Sequence, residues 1–105
     1  MSTPVIFRKY PDGEIIALFP TLAGSVALSY SCWCYQHIGQ GGAADSGLVI
    51  SSTEPASPDE YADLLAELIS MGWDDLKIYQ REQYWMRSKR YEDIRECLRD
   101  SVGLR

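Results

Sequence analysis

The chain predicts an α+β fold: a mostly antiparallel sheet of four to five strands with two helices on one face, in the order ββββαβα. Three observations predict it. A Pro11-Asp12-Gly13 turn separates two apolar runs, a Ser57-Pro58-Asp59-Glu60 capping box opens an amphipathic stretch, and helical periodicity is confined to the second half. At 105 residues, with 46% hydrophobic and 24% charged residues, the chain suits one domain over residues 1–105 with a packed core.

The first two strands are predicted at Val5–Tyr10 and Glu14–Phe19. Pro11 presets φ at the turn, Asp12 tolerates the next position, and Gly13 takes the left-handed conformation that restarts the chain. Ile15 to Phe19 is apolar without alternation, which suits a strand covered on both faces; Pro20 is expected to end it. A third strand is predicted from about Ser25 to Gln36. Alternation places Val26, Leu28, Tyr30, Cys32 and Cys34 on the helix-covered face, and Trp33, Tyr35 and His37 on the face turned away from the helices.

From His37 to Gly47 the glycines at 39, 41, 42 and 47 predict a loop, and Leu48–Ser52 reads as a fourth strand. A helix follows Ser57, with Pro58 at its first position, an apolar stripe of Tyr61, Leu64, Leu65, Leu68 and Ile69, and Gly72 as its stop. Leu76–Tyr79 is a short strand. A second helix over about Glu82–Ser101 is expected to turn Tyr84, Tyr91, Ile94 and Leu98, with Trp85 and Cys97, to the core.

Charge is uneven. Residues 1–80 hold three cations against ten carboxylates, while residues 81–105 hold seven against five, within a total of −5. An acidic body repels a phosphate backbone, so nucleic acid is not an expected partner; the basic residues of the last helix are interleaved with acids and read as a solvated face. No apolar run is long enough to span a membrane, and Met1-Ser2-Thr3-Pro4 lacks a basic region followed by an apolar one. With three cysteines, an odd number, the expectation is a cytoplasmic protein with reduced thiols and no membrane partner.

The segment Cys32-Trp33-Cys34-Tyr35-Gln36-His37 concentrates whatever chemistry the chain has. A zinc site would need both thiols and His37 on one side, and strand alternation separates them, so no metal and no cofactor are expected. A Cys34–His37 nucleophilic pair would need the chain to fold back after Gln36, so no catalytic residue is nominated. Gly39-Gln40-Gly41-Gly42-Ala43-Ala44 fits the dinucleotide fingerprint letter by letter, but a strand rather than a helix is predicted next. What remains is the stripe Trp33, Tyr35, His37 and the adjoining Gly39, Gln40 and Gly41. Aromatic residues with a polar handle are enriched where proteins meet partners. These six residues are the candidate binding site, for a protein partner or a second copy of the chain, with a small ligand as the lesser reading. The alternatives are an acidic inhibitor imitating nucleic acid with Asp59, Asp63, Glu67, Asp74 and Asp75, and a small Cys/His enzyme.

The combination of Pro11-Asp12-Gly13-Glu14, Ala17-Leu18-Phe19-Pro20, Tyr35-Gln36-His37-Ile38-Gly39-Gln40 and Pro55-Ala56-Ser57-Pro58-Asp59-Glu60-Tyr61 resembles small bacterial proteins of accessory genomes, carried on plasmids, in phages and in gene cassettes. The resemblance covers roughly residues 5–80. It implies a bacterial cytosolic protein of dispensable role and supplies no functional residue.

Overall fold

The computed structural model describes residues 2–24, 31–36 and 41–102, with side chains up to residue 96. The predicted α+β class holds. The elements run β1 (Thr3–Lys9), β2 (Ile15–Ala23), β3 (Ser31–Tyr35), β4 (Gly41–Asp45), α1 (Ser46–Ser52), β5 (Glu54–Pro55), α2 (Pro58–Ser70), β6 (Leu76–Tyr79) and α3 (Tyr84–Val102). One six-stranded sheet has the order β4-β3-β2-β1-β5, and β6 continues the β5 lane along β1. Among the described strands β6 alone runs parallel to its neighbour.

The hairpin forms as its residues dictate. Gly13 has φ +94°, its amide donates to the Tyr10 carbonyl at 2.9 Å, and the Asp12 carboxylate accepts from the Glu14 amide at 3.0 Å. β2 lies between β1 and β3, and Ile16 to Pro20 are buried. Pro20 does not end β2. It breaks the register instead: Phe19 faces Trp33 and the next pair is Ala23 with Cys32, so Pro20, Thr21 and Leu22 bulge out.

Helices cover both faces rather than one. Alternation along β1 and β2 sends Val5, Phe7, Ala17 and Phe19 to one side, where Leu64 and Leu68 of α2 pack on them. It sends Ile6, Ile16 and Leu18 to the other, where Val49 and Ile50 of α1 pack and where Glu82, just before α3, and Arg90 within it lie beside Cys32. A sheet with two apolar faces needs two covering layers, and the expected single layer would have left one wet.

α2 follows its signals. The Glu60 carboxylate closes the capping box by accepting from the Ser57 amide at 2.9 Å. At its end Gly72, φ +109°, donates to the Ile69 carbonyl at 3.0 Å and Trp73 to the Leu68 carbonyl at 3.1 Å, the paired bonds of a Schellman stop. Ile69 falls outside the buried stripe, 53% exposed.

Two segments exchange the roles expected of them. Gly41–Asp45, expected as loop, is strand β4, because β3 pairs with it from Ser31↔Asp45 to Tyr35↔Gly41. Leu48–Ser52, expected as strand, belongs to helix α1. Asp45 caps its start by accepting from the Leu48 amide, the hydroxyls of Ser51 and Ser52 donate back to the Leu48 carbonyl, and that of Thr53 donates to the Val49 carbonyl. Buried Arg8 adds two more donations, to the carbonyls of Ile50 and Thr53.

The α3 face also differs. Met86, Arg90 and Ile94, at four-residue spacing, are buried, while Tyr84, Tyr91 and Trp85 are exposed. Long-range polar partners set this rotation: Arg90 donates to the Pro20 carbonyl, and Asp93 accepts from the Ala23 amide. The predicted strand residues 25–30 and the side chains of Cys97 and Leu98, expected in the core, lie outside the described residues. No described helix is long and apolar enough to cross a membrane.

Candidate functional site

β3 carries the site because its alternation holds. Cys32 and Cys34 point into the α1 and α3 layer, and Trp33 and Tyr35 into the α2 layer. The rings are therefore on a helix-covered face, not on the open one expected of them. α2 covers the β1–β2 half of that face fully and the β3 half in part, so Tyr35 is buried while Trp33 is only partly so.

An aromatic cluster builds the local surface. Trp33 lies against Phe19 at 5.2 Å between ring centroids, Trp73 at 6.0 Å and Tyr35 at 6.2 Å. The Tyr35 hydroxyl donates to the Glu67 carboxylate of α2, which holds the second ring of the stripe in place. Trp33 then reaches outward. A Cβ on Gly41 would stand 2.9 Å from Cζ2 of the indole, so the missing side chain at Gly41 lets the ring extend over the outermost strand.

The two edges of the sheet are built differently. Along the β5/β6 lane the edge carries Glu54, Pro55 and Lys77, the charged and proline residues that discourage a foreign strand. β4 reads Gly41-Gly42-Ala43-Ala44-Asp45 and has neither proline nor any charge before Asp45. Its first three residues are exposed, and no described strand pairs with its outer side. A Cβ on Gly42 would meet nothing within 4 Å. α1, which leaves β4 on the opposite face, presents Leu48 at 65% exposure.

The thiols are poor nucleophiles. Burial pushes Cys32 up to about 12, against a smaller opposing pull from Arg90, and burial likewise raises Cys34. Both are packed against Ile6, Ile16 and Leu18, so neither offers an exposed thiolate. Among the described residues no three His, Cys, Asp or Glu side chains converge as a metal-ligand set. Of the five carboxylates considered for phosphate imitation, Glu67 is bonded to Tyr35 and Asp75 accepts from the Thr3 hydroxyl at 2.7 Å.

Of the six candidate residues, the structure brings together Trp33, Tyr35 and Gly41; His37, Gly39 and Gln40 lie outside the described residues. Tyr35 supports the site from beneath. Sequence reasoning missed Gly42, Ala43 and Ala44 as a strand edge. The available signal was a run of small residues, free of charge and proline, ending in an Asp-Ser-Gly helix start.

Fold and edge together define a class: a single-sheet α+β protein layered by helices on both faces, with one guarded edge and one edge that no described strand pairs. No protein-family model matches the chain, and no curated protein or solved structure matches it either.

Proposed function

We propose that this chain is an interaction protein that self-associates by pairing β4 with β4 of a second copy across a twofold axis, with the Trp33 indole buried at the seam. The uncharged β4 edge, whose outer side no described strand pairs, carries this reading. Unpaired backbone donors and acceptors along an edge recruit another strand unless side chains prevent it. A twofold contact sets the same patch against itself, so it needs a strand without like charges, and residues 41–44 have no charge at all. Elsewhere a net charge of −5 makes copies repel, which favours approach along this one neutral line. Trp33 and Leu48 supply apolar area on the two sides of the edge.

Sedimentation velocity tests it. The wild-type chain should sediment at twice its 11.9 kDa mass at micromolar concentration. Gly42→Lys places a charge in open space on the edge and should give a monomer with an unchanged circular dichroism spectrum; Gly42→Ala should remain dimeric. A monomeric wild type, or a Gly42→Lys chain that still dimerises, overturns the proposal.

A further inference from the structure

The two helices that cover the sheet from opposite sides are fastened to it differently. α2 buries Leu64 and Leu68. Of the seven residues of α1 only Ser46 is buried; Val49 and Ile50 are partly buried against the cluster of Ile6, Ile16 and Leu18, and Leu48 is 65% exposed. A helix this short has no stability of its own and stays where something else holds it.

What holds α1 is mainly polar, one set of bonds at each end. At its start the Ser46 hydroxyl donates to the Glu82 carboxylate at 3.1 Å, while Glu82 has Arg90 as its closer partner at 2.8 Å. At its end Arg8 of β1 donates to the carbonyls of Ile50 at 2.9 Å and Thr53 at 2.6 Å, and its Nε donates to the Thr53 hydroxyl at 2.9 Å. Arg8 is 6% exposed, and its one further acceptor among the described residues is the Gln80 carbonyl at 3.5 Å. This buried cation is thus satisfied by neutral oxygens, most of them supplied by α1 and its C-cap.

Water can replace each of those bonds. When α1 lifts, the Arg8 guanidinium and the freed carbonyls are hydrated instead of stranded, so solvent returns most of the polar part of the fastening. The apolar part is two half-covered side chains. For α2, held by Leu64 and Leu68, solvent returns nothing. Both ends of α1 are also anchored: Asp45 is paired in β4 with Ser31, and Thr53, extended at φ −133°, leads into Glu54 of β5, paired with Lys9.

We infer that α1 is a strap that opens as one unit while the sheet and α2 stay folded, with Arg8 as its latch, and that opening exposes the sheet face of Ile6, Ile16 and Leu18. Elements with little buried apolar surface open at less than the cost of global unfolding, and α1 has the composition of such an element.

Native-state hydrogen exchange across a urea series tests it, in the Gly42→Lys chain beside the wild type so that self-association does not contribute. In both chains the amides of Ile50, Ser51 and Ser52 should exchange with one shared opening equilibrium, at least about tenfold faster than the amides of β2 and with a shallower dependence on urea. Arg8→Met should raise their exchange roughly tenfold, since it removes every latch bond. Thr53→Val keeps the side-chain shape, removes one acceptor of Arg8, and should raise it about threefold; it tests the latch on its own where Arg8→Met does not fold. Exchange of these amides at the rate and urea slope of β2, opening equilibria that differ from one amide to the next, or Thr53→Val exchange equal to that of the wild type would each overturn the inference.

Discussion

The Arg90 guanidinium donates to the Glu82 carboxylate at 2.8 Å with both side chains almost wholly out of water, 2% and 4% exposed. Glu82 also accepts from the Ser46 hydroxyl at 3.1 Å, and Arg90 also donates to the Pro20 carbonyl at 2.9 Å. One pair therefore ties the start of α3 to the start of α1 and to the β2 bulge. Buried charges are tolerated here because each has a partner in reach.

Removing one member should cost more than the pair contributes. Arg90→Met leaves Glu82 buried without its principal donor, and breaking such a pair costs about 3–5 kcal/mol. Urea unfolding should show a lower midpoint at an unchanged slope. The double variant Arg90→Met with Glu82→Leu should recover most of the loss, since neither charge is then stranded.

Burial of the β3 thiols predicts their reactivity. In a Cys97→Ser chain, Ellman's reagent should label neither Cys32 nor Cys34 at pH 8 and both after denaturation, because attack needs an exposed thiolate and burial raises both groups. Rapid labelling of Cys34 in the folded chain would show an open face where the structure has Ile16 and Leu18.

Glu60 sets an acid dependence. The Lys9 ammonium, and then the Ser57 amide, hold its carboxyl at about 2, below its ordinary 4.5. A lowered folded value means stability that is present above the ordinary value and lost as pH falls toward 2. Glu60→Gln keeps a capping acceptor but not the charge. Chemical denaturation should find the wild type ahead of the variant above pH 5 and level with it near pH 2. The gap should be small and should shrink in high salt, as the pair is exposed to water.

Gly72 isolates a backbone contribution. A Cβ there would meet nothing within 4 Å, so Gly72→Ala tests φ +109° alone. Denaturation should show a loss of about 1 kcal/mol, with the α2 helix retained.

What could be read from the residues was what neighbours along the chain decide among themselves. The Pro11-Asp12-Gly13 turn, the Ser57–Glu60 box, the Gly72 stop and the opposite facing of Cys32 and Trp33 rest on contacts a few residues apart or on strand geometry. The candidate site was half legible for the same reason. Trp33 and Tyr35 share a face in any strand, but nothing local says which layer lies over them.

Tertiary structure decided the remainder. Leu48-Val49-Ile50 favours a strand by propensity, yet it is helical because Asp45 caps one end, Arg8 satisfies the other from β1, and the second sheet face needs a cover. Gly41–Ala44 is a strand because β3 offers it a ladder. α3 turns Met86 and Arg90 inward and its tyrosines outward because Glu82, Pro20 and Ala23 supply the polar partners there. An amphipathic pattern names the stripe that avoids water; which surface receives it depends on residues dozens of positions away, brought near only when the sheet closes its register.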